Sequence, residues 1–164
     1  MTPDEALALL RDDPVAQRLL VAPIPARIAY VARDGTPRVV PMGFHFTGRS
    51  FVLATVERAP KVRAIRANPA VALTIDTDDQ PPLALLVRGT AEVTVVDGVV
   101  PEYLEASRRT LPPDVYPAFE QQVTALYDRM ARIEVTPTWA TVFDFATRAP
   151  KEVMRLAAEK GLAP

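Results

Sequence analysis

Cysteine is absent from this chain of 164 residues, and histidine occurs only once, as His45. A chain without cysteine has no disulfide, no thiolate metal site and no cysteine nucleophile. No catalytic triad and no pair of catalytic carboxylates is recognisable in the sequence either. These absences exclude several classes of metal and nucleophile chemistry.

An excess of charge of one sign is also lacking, since 19 basic and 20 acidic side chains leave a net charge of −1. This balance does not indicate a protein that coats nucleic acid or an anionic membrane. No apolar run reaches the roughly 18 residues that cross a bilayer, and no signal peptide is visible at the N terminus. We therefore expect a cytoplasmic protein without a nucleic-acid or membrane partner.

The remaining composition is that of an ordinary globular protein, with 49% hydrophobic and 24% charged residues. The length predicts a single domain over residues 1–164. The 17 prolines mostly fall between periodic segments, so they mark turns and boundaries of elements and do not indicate a disordered tract.

Six or seven short strands are predicted in a barrel core that covers residues 27–146. The turn signals Asp34-Gly35 and Thr47-Gly48 join the first three strands into an antiparallel meander. Gly89 lies inside a long predicted strand and indicates a bulge or a corner of the sheet. The predicted strands span residues 28–32, 38–46, 51–55, 71–75, 83–96, 133–135 and 139–145.

Helices are predicted between and beyond these strands. Thr2 and Glu5 have the spacing of a capping box. A short helix is expected at residues 59–69, a helical insert at 101–132 and a C-terminal helix at 150–160. Together these elements predict an α+β fold, an antiparallel split β-barrel with flanking helices.

The end of the third strand and the start of the next helix carry the strongest functional signal. Lys61 lies in the first turn of that helix, where free amides and the helix dipole attract phosphate. Thr55 and Arg38 add donors from two strands, while Arg63 and Arg66 extend the positive charge. The alternative interpretation, solvated charges on the surface of an amphipathic helix, stays equally open at this point.

An ordered series of segments resembles the pyridoxamine 5'-phosphate oxidase-like split barrels, a superfamily that includes FMN-binding proteins. It begins at Arg38-Val39-Val40-Pro41-Met42 and continues through residues 51–55, 60–73 and 87–93. The resemblance implies an isoalloxazine-type cofactor, FMN, held between the two subunits of a homodimer. Its phosphate would contact Arg38, Thr55 and Lys61, and its ring would lie along residues 39–42. The expected cofactor-binding residues are Arg38, Val39, Val40, Pro41, Met42, Ala54, Thr55, Pro60, Lys61, Arg66 and Trp139.

Two departures from the family pattern concern the cofactor and the substrate. Gly43 and Pro60 stand where the pyridoxamine phosphate oxidases have a lysine and an arginine. The C-terminal arginine and histidine that grip the vitamin phosphate in those enzymes are missing as well. The resemblance therefore does not extend to vitamin oxidation, and the deazaflavin coenzyme F-420 becomes the alternative to FMN. The anionic tail of F-420 would pass Arg63 and Arg66.

The leading functional hypothesis is an oxidoreductase that transfers hydride or electrons between the cofactor and a small organic substrate. Such chemistry belongs to the cofactor and requires no catalytic residue motif in the chain. Alternatives are a barrel that has lost its cofactor and a non-enzymatic flavin- or haem-binding module, with His45 either an axial haem ligand or an ordinary strand residue. Trp139 either packs in the core or stacks the ring together with Val39 and Met42.

Overall fold

The computed structural model describes residues 1–162, which form seven strands and six helices; residues 163–164 of the predicted domain lie outside this part. The strands are β1 Ala26–Val31, β2 Pro37–Met42, β3 Phe44–Phe46, β4 Phe51–Val56, β5 Ala70–Asp76, β6 Leu83–Asp97 and β7 Arg129–Asp144. The helices are α1 Pro3–Asp12, α2 Pro14–Val21, α3 Pro60–Ala67, α4 Pro101–Thr110, α5 Tyr116–Leu126 and α6 Lys151–Glu159. No helix within the described residues is both long enough and apolar enough to cross a membrane.

One antiparallel sheet runs in the order β2-β1-β5-β6-β7-β4-β3. Its two edge strands are separated in the chain by Gly43 alone. The sheet must therefore curl until its edges meet, which confirms the predicted antiparallel split barrel. The predicted strand at 38–46 is a broken strand, because its two halves pair with β1 and β4 at opposite edges of the sheet. The three predicted strands consequently form two hairpins and not one flat meander.

The hairpin of β6 and β7 is the longest pairing and extends from Leu83 opposite Asp144 to Asp97 opposite Arg129. Two predictions for this part of the chain were wrong. Residues 129–132 belong to β7 and not to the helical insert, although Met130 continues the helical spacing of α5. The predicted closing strands at 133–135 and 139–145 are one strand, in which residues 136–138 contain a bulge.

The bulge lies where Gly89 was expected to bend the sheet. Arg88 pairs with Trp139 and Gly89 with Pro137, so Thr138 is the extra residue. Its Oγ1 donates a 3.2 Å hydrogen bond to the carbonyl of Arg88. Proline is accepted inside β7 because a bulge is one of the places where a strand tolerates a missing N–H.

The barrel interior holds the main core, which includes Ile28, Phe44, Phe51, Leu73, Leu85 and Ile133. Leu10 of α1 and Leu19 of α2 belong to the same core. Strand β4 is buried on both faces, because Val52 and Ala54 pack outside the barrel against Val100 and Met130. Helix α4, which follows Val100, contacts β3 and β4 on this side.

We expect Gly89→Ala to destabilise the protein by about 1–3 kcal/mol, because overpacking forces the backbone to shift. A Cβ atom at position 89 would lie 2.5 Å from the carbonyl oxygen of Thr136. Urea unfolding followed by circular dichroism measures the free energy of unfolding. Gly43→Ala is the matched control, since its Cβ would meet only the Cβ of Ala106, at 3.5 Å. Equal losses in the two variants would contradict the role assigned to the bulge.

Candidate functional site

The N terminus of α3 lies beside the end of β4. Ala59 occupies the N-cap position and has no side-chain oxygen, so the first-turn amides receive no side-chain cap. The Lys61 Nζ atom lies 3.4 Å from the Thr55 Oγ1 atom. The structure thus brings together two of the predicted phosphate ligands at a helix end suited to an anion.

Arg38 faces the same helix from the neighbouring hairpin. Together with Pro60, Arg33 and Arg63 it lines a depression of about 210 Å³. In this structure the Arg38 guanidinium bonds to Thr36 and lies 3.1 Å from the Asp34 carboxylate. The hydrogen bond from the Thr36 hydroxyl, followed by its backbone amide, lowers the pKa of Asp34 below its ordinary value. To bind an anion, the Arg38 guanidinium must therefore either use N–H groups that are not bonded to Thr36 and Asp34 or break these contacts.

A second depression, of about 340 Å³, lies along α3 and is lined by Arg58, Arg63, Arg66, Glu57 and Val62. Its single carboxylate, on Glu57, is already paired with Arg129 at 3.4 Å. Sequence reasoning missed Arg33 and Arg58, although each precedes a turn or helix start already singled out, at Asp34-Gly35 and at Pro60. The surface around α3 is thus more basic than the predicted residues alone indicate.

Strand β2 presents alternate side chains to solvent and to the barrel. Val39 is 63% exposed and Pro41 is exposed, whereas Val40 is half-buried against the core. Met42 and Ala54 are only 9% and 8% exposed. Met42 packs in the barrel core, so its side chain cannot form the predicted outer wall with Val39. The Met42 and Ala54 side chains are thus buried and do not form a contact surface for a ligand.

Trp139 is far from β2 in the same chain. The registers place Val39, Ala29, Ala72, Arg88 and Trp139 in one row across five strands. Four inter-strand steps span roughly 19 Å along the curved sheet. The predicted ring-stacking wall of Val39, Met42 and Trp139 is therefore not assembled within one chain. Instead, the Arg88 guanidinium lies 4.4 Å from the centre of the Trp139 ring.

Helix α4 lies beside the end of β2, because Ala106 comes close to Gly43 at the β2–β3 junction. Its position is held by Glu102, which accepts a 2.7 Å bond from Arg132 on β7. Arg132 also pairs with Glu134, which accepts a 2.6 Å bond from the Ser50 hydroxyl. The hydrogen bond from Arg132 lowers the pKa of Glu102, and the bond from Glu102 raises that of Arg132.

Residues 13–161 match the family model described as pyridoxamine 5'-phosphate oxidase. A solved structure of an F-420 reductase is 32% identical, with a TM-score of 0.59 over 76% of this chain and 94% of that chain. No curated protein sequence matches the chain.

Two more distant structures are similar in fold alone. A conserved hypothetical protein from Mycobacterium tuberculosis is 16% identical, with a TM-score of 0.54 over 88% of this chain and 85% of that chain. The haem storage protein HutZ from Vibrio cholerae is 14% identical, with a TM-score of 0.57 over 80% and 92%.

We expect Glu102→Gln to lower the free energy of unfolding by about 1–2 kcal/mol at neutral pH, through loss of a charge-assisted hydrogen bond. The folded-state pKa of Glu102 lies below its ordinary value of 4.5. Its contribution is therefore present above that value and is lost as the pH falls through the folded-state pKa. Urea unfolding of both proteins across this range measures the difference.

The control for this pH series is Asp114→Asn, since Asp114 is exposed and makes no ion pair within residues 1–162. Its stability should follow that of the unmodified protein at every pH. A loss in Glu102→Gln that stays constant down to about pH 3 would show that the carboxylate charge is not what holds α4.

Proposed function

The chain belongs to the pyridoxamine 5'-phosphate oxidase family, and on that premise we propose that it is an oxidoreductase that uses a flavin or deazaflavin on a small organic substrate. The observation that carries the proposal is the joint position of Lys61 and Thr55 at an uncapped helix N terminus. Strand β2 lies next to them, and a flat ring can lie along its outer side, where Val39 and Pro41 are exposed.

The donor set at α3 fits a phosphate group. The Lys61 ammonium and the Thr55 hydroxyl are close enough to contact one phosphate together. Arg33, Arg38 and Arg63 surround the adjoining depression, and its lining includes no carboxylate. Charge-assisted hydrogen bonds of this kind are about twice as strong as neutral ones. The chain thus supplies an anchor for the phosphate end of the cofactor.

The ring would lie along the outer side of β2. Because β2 is an edge strand, one row of its backbone N–H and C=O groups is unpaired and available to polar atoms of a ring. Val39 and Pro41 offer apolar contact on the same side. When bound, such a cofactor supplies hydride or electron transfer, and the chain binds it, orients it and excludes water.

Two observations favour F-420 over FMN. The F-420 reductase is 32% identical over most of its own length. In addition, Arg58, Arg63 and Arg66 line a depression that would accommodate an anionic polyglutamate tail, a group that FMN lacks. Haem, the remaining alternative, would have His45 as its only histidine ligand.

A homodimer would complete the site. The outer face between β2 and Trp139 holds a depression of about 470 Å³, lined by small residues such as Ala29, Ala70 and Ala72. Val39, 63% exposed, adjoins this face. A second subunit on it would bury these apolar groups and cover the ring. In such a dimer, the Trp139 that approaches a ring on β2 would come from the second subunit.

Lys61→Ala is expected to weaken FMN binding about tenfold to a hundredfold, because a charge-assisted contact to phosphate is lost. Riboflavin, which has no phosphate, should bind the variant and the unmodified protein equally. Lys151→Ala on α6 is the matched control. Absorbance and fluorescence titrations of the purified chain give the affinities. An unchanged affinity for FMN in Lys61→Ala would remove the phosphate anchor from the proposal.

Arg66→Ala is expected to weaken F-420 binding several-fold and to leave FMN binding nearly unchanged, because only F-420 carries the anionic tail. The same titrations, with haem as a third ligand, identify the cofactor. Equal effects on F-420 and FMN would contradict the path assigned to the tail. Binding of haem alone would overturn the flavin proposal.

A further inference from the structure

A cleft of about 560 Å³ lies at the other end of β4, between helices α1 and α2, helix α4 and the β3–β4 hairpin. It is distinct from the α3 site, because the two lie at opposite ends of β4. This strand runs from Phe51 at the hairpin to Val56 near α3, and its length is roughly 17 Å. The volume lies within the range of small-molecule sites.

Arg109 of α4 is the most unusual group in this cleft. Its guanidinium donates to the carbonyl oxygens of Phe44, at 2.7 Å, and Leu20, at 3.3 Å, and lies 4.4 Å from the centre of the Phe44 ring. Its Nε atom is buried and has no hydrogen-bond partner in the described part of the chain. Burial lowers the pKa of Arg109 below its ordinary value. A partly buried cation without a carboxylate partner is costly, and an anion would offset that cost.

Arg11 of α1 contributes a second cation. Its Nε atom donates a 2.7 Å bond to the carbonyl of Gly48 at the tip of the hairpin, and it makes no ion pair within residues 1–162. The one carboxylate lining the cleft belongs to Glu105, which is paired with Arg108 at 3.2 Å. The charge balance of the cleft is therefore positive.

Leu20, Val21 and Phe46 supply an apolar wall beside these cations. Val21 is 68% exposed, so part of this wall faces solvent. We propose that the cleft binds a small organic anion, a carboxylate or phosphate monoester carried on an apolar body. Arg11 and Arg109 contact the anionic group, and the apolar wall contacts the body. This binding does not depend on the proposed cofactor site.

Isothermal titration calorimetry of the full chain with benzoate and with phenyl phosphate tests this site. Benzyl alcohol serves as the neutral probe. At least one anion should bind saturably, and benzyl alcohol should bind at least tenfold more weakly, since it lacks the charge-assisted bonds. The anion that binds more tightly distinguishes carboxylate from phosphate. Saturable binding of neither anion would overturn the proposal.

The variants locate the bound anion. Arg11→Gln should lower its affinity about tenfold, while Arg18→Gln, the same charge change on α2 outside the cleft, should leave it unchanged. Arg109→Lys keeps the charge but loses the planar guanidinium group with its several N–H donors, so it should also weaken binding. Circular dichroism checks that this variant is folded. The titrations are repeated with Lys61→Ala, which removes the phosphate anchor proposed at α3, and the anion should still bind this variant. Loss of all binding in Lys61→Ala, or an unchanged affinity in Arg11→Gln, would place the anion elsewhere and refute the assignment.

Discussion

Closure of the barrel by one short segment is the constraint on which the rest of the structure depends. Residues 37–46 supply both edge strands of the sheet, with Gly43 as the only residue between them. The backbone must therefore pass from the edge beside β1 to the edge beside β4 within a single residue. Because the sheet closes here, Met42 and Phe44 both enter the core, and the outer face of β2 stays uncovered within the chain.

Two cationic regions, which differ in burial, lie at the opposite ends of β4. At one end, α3 offers an exposed helix N terminus with a lysine and several solvated arginines. At the other end, Arg109 of α4 is partly buried and held by backbone carbonyls and an aromatic ring. The first arrangement suits a phosphate that approaches from solvent. The second suits an anion that enters a cleft between helices and contacts a cation that is already partly desolvated.

Family membership and the departures from the family pattern have to be considered together. The chain lacks cations at Gly43 and Pro60, yet Arg33 and Arg58 each line one of the two depressions beside α3. Positive charge around the helix is thus retained at different positions. This redistribution is one of the observations behind the proposal of a cofactor with a longer anionic portion than FMN. It also agrees with the 32% identity to an F-420 reductase.

Local patterns in the sequence determined most of the elements, because turns, caps and strand alternation depend on residues close together in the chain. Asp34-Gly35 predicted the first hairpin, Gly89 the bulge, and Pro60 the start of α3. The charges around Lys61 were visible for the same reason. Tertiary structure alone decided features that depend on pairing between distant segments. These are the single strand β7, the inward position of Met42, the packing of Ala54 outside the barrel against Val100 and Met130, the separation of Trp139 from Val39, and the cleft around Arg109. Each depends on strand register or on helix packing across the barrel, and neither is encoded in a short window of sequence.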